Sequence, residues 1–205
     1  MPDFAFEDRA HAAGRAVVCG IDEAGRGPWA GPVVAAAVVL DREALPAGLA
    51  AQLDDSKRLK AHKREALLAA ITPFARIGLG EASAAEIDQV NILRATFLAM
   101  DRAVAALGIL PDLALVDGNR PPPLACAVEC LVGGDGRSLS IAAASIAAKV
   151  TRDRQMADLA ARHPGYGWER NAGYGTAEHI AALASLGVTA EHRKSYAPVR
   201  KMLGR

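Results

Sequence analysis

The sequence predicts an α/β fold, five strands interspersed with helices, and three observations carry that prediction. Five short apolar runs rich in valine, isoleucine and leucine are each bounded by turn residues. Between and after them lie stretches whose apolar residues recur at helical spacing. With 205 residues, 51% hydrophobic and 23% charged, the chain can close one substantial core, and no repeat, low-complexity tract or linker divides it.

Arg15 to Ile21 is the first predicted strand and Val33 to Leu40 the second. The short turn between them makes an antiparallel hairpin. After a loop with Pro46 and Gly48, Leu59 to Ile71 has a helical pattern: Leu67, Leu68 and Ile71 are apolar, Lys60, Lys63, Arg64 and Glu65 polar. Pro73 ends it, and Phe74 to Glu81 forms the third strand. Two helices follow, Ala84 to Asn91 and Ile92 to Leu107, the second carrying Leu93, Phe97, Met100, Val104 and Leu107 on one face. Gly108 is its stop signal. Leu113 to Val116 and Cys126 to Val132 complete the strands. Ser138 to Arg162 is a long alanine-rich helix without Pro or Gly, and Thr176 to Leu186 a shorter one.

No apolar run approaches the roughly 18 residues of a membrane span, and the start, Met-Pro-Asp-Phe-Ala-Phe-Glu-Asp-Arg, is too acidic for a signal peptide. A cytoplasmic protein is expected. Cys126 and Cys130 lie on one strand, roughly 13 Å apart and too far for a bridge, so the three cysteines read as free thiols. The net charge of +1 means that any polyanion is held by a local patch and not by a global field.

Function enters through Asp22, Glu23, Asp117 and Asp135, each placed where an apolar run meets a turn. Alone, an Asp beside Gly is a turn former. Together, at the ends of neighbouring strands, four carboxylates repel one another and lose hydration, so a cation is their natural partner. An oxygen-only set suits Mg²⁺ or Mn²⁺, and Mg²⁺ shares its shell with phosphates.

Gly25-x-Gly27-x-x-Ala30 superficially copies a dinucleotide-binding fingerprint. Pro32 and the valine-rich run leave no room for the helix that fingerprint must open. Phosphate-facing groups are Ser56 and Lys57, which precede a helix and otherwise serve as its cap and solvated face. Ser145, Lys149 and Arg152 share a face of the long helix, the alternative being a solvated stripe. The tail supplies Tyr174 between two glycines, which either stacks on a sugar or fills a core gap, and the basic run His192-Arg193-Lys194 with Arg200-Lys201. His179, in an apolar helix, reads as a packed or surface histidine.

The motifs Gly20-Ile-Asp-Glu-Ala-Gly-Arg-Gly-Pro28, Asp54-Asp-Ser-Lys57, Glu86-Ile-Asp-x-x-Asn91-Ile, Val116-Asp-Gly-Asn119, Ala143-Ala-Ser-Ile-Ala-Ala-Lys149-Val-x-Arg-Asp153 and Gly173-Tyr-Gly-Thr-x-x-His179 stand in one order. In that order the sequence resembles the bacterial ribonuclease HII (type 2 ribonuclease H) family over nearly its whole length. The resemblance implies a ribonuclease H-like fold, a mixed five-stranded sheet flanked by helices, in a single catalytic domain. Its C-terminal helical part, roughly residues 163–205, would help clamp the duplex.

The resemblance also implies an endoribonuclease that cuts the RNA strand of RNA–DNA hybrids and nicks at ribonucleotides embedded in DNA, acting as a monomer on nucleic acid and not at a membrane. The implied metal ligands for Mn²⁺ or Mg²⁺ are Asp22, Glu23, Asp117 and Asp135. Gly25, Arg26, Gly27 and Tyr174 match the groups that read the ribose 2′-hydroxyl, while Ser56, Lys57, Ser145 and Lys149 are candidate substrate contacts by their positions alone. Gly133 departs from the family pattern, where lysine usually stands two residues before the fourth acid. Another metal nuclease or phosphotransferase on the same fold, or a non-catalytic binder, would keep some of these features but not all.

Overall fold

The computed structural model describes residues 1–204. A short helix α1 (Ala5–Ala12) leads into the antiparallel pair β1 (Val18–Ala24) and β2 (Val33–Leu40). After α2 (Ala47–Ala50), a 3₁₀ turn (Ser56–Arg58) and α3 (Ala61–Ile71), β3 (Ala75–Ala82) adds antiparallel to β2. The helix α4 (Ala84–Ala106) then carries the chain across to β4 (Leu113–Asp117), which joins β1 in parallel, as β5 (Ala127–Leu131) joins β4. The sheet order is β3-β2-β1-β4-β5, so the strand bearing Asp22 and Glu23 is central. A second 3₁₀ turn (Gly134–Gly136) opens into α5 (Leu139–Arg162), followed by α6 (Trp168–Asn171), α7 (Ala177–Leu186) and α8 (Ala197–Met202).

The two faces of the sheet are covered differently. On one, Cys19, Ile21, Ala35 and Ala37 pack against Ile87, Ala95, Ala99, Met100 and Ala103 of α4. On the other, Ala36 and Val38 meet α5 and α3 through Ala143, Ala144, Ala147, Leu67 and Ile71. Alanines let α5 lie close to the sheet. At Gly20 the approach is tightest: a β-carbon there would stand 2.1 Å from the Ser140 carbonyl carbon. The first turn of α5 is thereby held against β1 at Gly20.

The last helices pack on the end of α5, where Met156 and Leu159 join Ala30, Tyr166, Trp168, Ala182 and Leu183. No helix among the described residues is long and apolar enough to cross a membrane. All three cysteines are free.

The expected elements are present with instructive shifts. β1 starts later than predicted and runs on through Asp22 and Glu23, which pair with Ala36 and Ala35 of β2. Apolarity ends at Ile21, but backbone pairing does not. The break between two helices falls at Asn91, whose φ is 69° and whose side chain accepts from the Leu93 and Arg94 N–H groups. The helix α1 was not expected, because few of its side chains are buried. It is fastened by Glu7, whose carboxylate accepts from the Ser138 hydroxyl (2.6 Å), the Ser140 N–H (3.0 Å) and the Ser140 hydroxyl (2.6 Å).

Candidate active site

Three carboxylates meet at the C-terminal ends of the central parallel strands. Ile21 and Val116 are paired across β1 and β4, so Asp22 and Asp117 follow side by side. Asp135 arrives from the 3₁₀ turn after β5. One oxygen from each of Asp22, Asp117 and Asp135 lies within 4.8 Å of the others. The Gly134 N–H donates to Asp117 Oδ1 at 2.7 Å, locking that turn onto β4, and the Glu23 N–H donates to Asp22 Oδ1 at 2.7 Å. Glu23 stands outside the tight group, since successive strand residues face opposite sides. It pairs with Arg26 at 3.1 Å and lines the same cavity, of about 260 Å³, as Asp22, Asp117, Lys57, Ser145 and Tyr174.

The electrostatics of the group favour a cation. Asp22 is only 4% exposed; burial first, then the charges of Glu23 and Asp117, hold its carboxyl well above the ordinary range, with the Ser145 hydroxyl opposing. Burial also raises Glu23 against the pull of Arg26, and raises Asp135, 7% exposed, with Asp117 and Asp55 adding repulsion. Hard oxygen donors, close together and short of counter-charge, fit Mg²⁺ or Mn²⁺. Lys57 is the local counter-charge. Its Nζ lies 3.6 Å from Asp135 Oδ2 and 3.9 Å from Asp55 Oδ1. Burial opposes the ammonium, but Asp55, Asp135, Asp22 and Asp117 outweigh it and raise its pKa.

The expected phosphate contacts divide. Lys57 is exposed over the cavity. Ser145 and Ser56 are buried at its base, the Ser145 hydroxyl donating to Ser56 Oγ at 2.9 Å. Lys149 lines the cavity, with its ammonium bound to Asp153 at 2.5 Å; Arg64 holds the other oxygen of that carboxylate at 3.1 Å.

Arg152 is not part of a phosphate-facing or solvated stripe. Buried beneath the Gly25–Gly27 turn, it donates to the carbonyls of Pro32 (3.0 Å), Ala172 (3.1 Å) and Ala30 (3.2 Å). Burial and the Arg193 charge pull it down to about 10, still protonated at neutral pH. Gly25 has φ +96°, and a β-carbon there would meet Arg152 Nε at 1.9 Å. Only glycine fits.

The tail also differs from expectation, since His192 and Arg193 are fully buried. Arg193 donates to the carbonyls of Gly25 (2.6 Å), Arg26 (2.9 Å), Gly31 (3.0 Å) and Pro32 (3.1 Å), and the Tyr196 hydroxyl donates to Arg26 O at 2.7 Å. Both buried guanidiniums are braces where the sequence alone reads a basic stripe and a basic run. The available signal was Arg152 standing on the same α5 face as Ala148, Met156 and Leu159. Tyr174, 50% exposed, forms the cavity wall opposite the turn, where a β-carbon on Gly27 would sit 3.3 Å from its Cε1. His179 is a packed histidine: it touches Trp168 and His192, and its Nδ1 lies 3.0 Å from the Tyr174 carbonyl oxygen.

Sheet order and acid placement together define a ribonuclease H-like protein with an acidic centre able to hold divalent metal. Within that class the chain belongs to the ribonuclease HII family, whose model, described as Ribonuclease HII, matches residues 19–199. It is 61% identical to Ribonuclease HII of Paramagnetospirillum magneticum, covering 99% of each chain. Against Ribonuclease HII of Rhodospirillum rubrum identity is 62%, over 100% of this chain and 93% of the relative. The fold is similar to the crystal structure of ribonuclease H2 from Pyrococcus horikoshii, with a TM-score of 0.76 and 27% identity, covering 92% of this chain and 98% of that one.

Proposed function

We propose that the chain is a metal-dependent endoribonuclease that hydrolyses the RNA strand of RNA–DNA hybrids and nicks 5′ to ribonucleotides embedded in duplex DNA. The observation that carries this reading is the meeting of Asp22, Asp117 and Asp135 within 4.8 Å, beside a glycine turn that faces Tyr174 across one cavity. Asp22, Asp117 and Asp135, with Glu23 at the rim, would hold Mn²⁺ or Mg²⁺, two ions when substrate is present. Held there, such an ion would supply Lewis-acid chemistry, activation of a water for in-line attack and stabilisation of the leaving 3′-oxygen, which corresponds to 5′-phosphate and 3′-hydroxyl ends.

The chain's own groups place the strand. Lys57 neutralises a backbone phosphate next to the acids, a contact that positions without reading sequence. Gly25, Arg26 and Gly27 present backbone at close range to the ribose, where a 2′-hydroxyl both donates and accepts and deoxyribose offers neither. Tyr174 lies against the next sugar. Ser56 and Ser145 hold the floor beneath the phosphate, and Arg64 of α3, donating to the Ser56 carbonyl and to Asp153, ties the Ser56 turn to α5, where Lys149 shares the Asp153 carboxylate. Residues 1–205 act as one catalytic domain in which roughly 163–205 clamp the duplex, as a monomer; free thiols accord with a cytoplasmic setting.

A gel assay on a duplex with one embedded ribonucleotide, with and without Mn²⁺ or Mg²⁺, tests the reading. One metal-dependent nick 5′ to the ribonucleotide is expected. Cutting throughout an all-DNA duplex, or binding without any cut in either metal, overturns it.

A further inference from the structure

The Glu86-Ile-Asp88 motif touches no part of the acidic centre, yet Asp88 is committed to the chain's far end. From the first segment of α4 its Oδ2 accepts the Lys194 N–H at 2.9 Å, while Oδ1 accepts the Ser195 N–H at 2.8 Å and the Ser195 hydroxyl at 2.6 Å. A carboxylate taking three donors from two successive residues fixes both the place and the direction of the backbone. The preceding residue is Arg193, whose own N–H donates to the Trp29 carbonyl at 2.7 Å and whose guanidinium holds the carbonyls of Gly25, Arg26, Gly31 and Pro32. The segment 193–195 is therefore a strap, gripped by α4 on one side and gripping the Gly25–Gly27 turn on the other.

We propose that Asp88 is a positioning residue for sugar selection, setting the Gly25–Gly27 turn through Arg193 without touching nucleic acid or metal. The inference rests on the reading of that turn as the ribose-facing element. Arg193 leaves the turn little freedom, because a planar fork satisfies several carbonyls only in one placement. Releasing the strap at Asp88 lets that fork shift and moves the turn relative to Asp22 and Asp117. A duplex with one ribonucleotide depends wholly on that single sugar contact. A uniform hybrid offers further 2′-hydroxyls, so it suffers less. Asp88 thus controls the preference between the two substrates while the acids stay in place.

The test is kcat/KM on a single-ribonucleotide duplex divided by kcat/KM on a uniform RNA–DNA hybrid, with the Mn²⁺ affinity of the free enzyme measured by calorimetry. Asp88→Ala should lower the ratio by about tenfold, the worth of a charge-assisted hydrogen bond, with the Mn²⁺ affinity unchanged. Asp88→Asn, which keeps one accepting oxygen, and Ser195→Ala should lower it less. A folded Asp88→Ala protein with an unchanged ratio overturns the inference, as does a ratio that falls only together with Mn²⁺ affinity. Should Asp88→Ala fail to fold, Asp88→Asn and Ser195→Ala decide on the same terms. Gly27→Ala separates the layers. If it leaves the ratio unchanged, the reading of the turn fails and takes the inference with it; if it lowers the ratio while Asp88→Ala does not, the inference alone fails.

Discussion

The Arg193 guanidinium donates to the Gly25 carbonyl at 2.6 Å, joining the C-terminal tail to the turn beside the acids. The contact is internal, so its loss cannot be replaced by water without opening the tail. Arg193→Ala leaves the carbonyls of Gly25, Arg26, Gly31 and Pro32 without this donor and should cost about 3–5 kcal/mol of stability. Arg193→Lys should recover part of that, having charge but no fork. Urea denaturation gives the numbers, and a loss under about 1 kcal/mol for the alanine variant would refute the brace.

Asp117→Asn should abolish nearly all cleavage while leaving the metal-free protein at least as stable as wild type. The charge of Asp117 is one of the causes that raise Asp22 and Asp135, so removing it relieves repulsion as it removes a ligand. A thermal melt in chelator and a Mn²⁺ titration separate the two effects. Retention of more than roughly a tenth of the rate, a barrier change below about 1.4 kcal/mol, would take Asp117 out of the metal shell.

Lys57→Ala should act in opposite directions on metal and substrate. Lys57 is the cation that faces Asp135 and Asp55, and its side chain is 76% exposed. Removing it should tighten Mn²⁺ binding to the free enzyme by about two- to fivefold, the worth of an exposed ion pair. Duplex binding should weaken and its salt dependence fall by about one unit of slope. Mn²⁺ binding that weakens instead would show that Lys57 supports the metal and does not compete with it.

Acid should loosen the C-terminal helices. His192 is lowered from 6.5 to about 4 by burial, with the charges of His179 and His163 adding to it, and its Nδ1 accepts the Thr189 N–H at 3.0 Å. A folded-state pKa below the unfolded one means that the unfolded chain binds more protons between those values. This contribution to stability is complete above about pH 6.5 and is lost as the pH falls towards about 4. Unfolding free energies of wild type and His192→Asn across that interval, with metal present, should diverge at high pH and converge at low pH. Parallel curves would count against it.

What was legible in the sequence was whatever depends on burial pattern. Val33 to Leu40 is found with the expected bounds because both faces of β2 are covered and the run is apolar throughout. The acids were legible through repetition, three strand ends each meeting a carboxylate. Glu23 reaches the same cavity from its rim, because β1 continues where a turn was expected and strand alternation points it to the other face from Asp22. Arg152 and Arg193 were hidden because a guanidinium reads as solvated until its acceptors, all backbone carbonyls distant in sequence, are known. Glu7 was hidden likewise, its partners Ser138 and Ser140 lying far along the chain.

The order of these residues along the chain also sets a sequence of events during translation. Asp22 and the Gly25–Gly27 turn are made before Asp117 and Asp135, and those before Arg193. A nascent chain therefore carries every acid of the centre before it carries the brace under the turn. Under the proposed reading, the residue that sets the ribose-facing turn is translated after every residue proposed to hold metal, so capacity for metal precedes capacity for choice as the polypeptide grows.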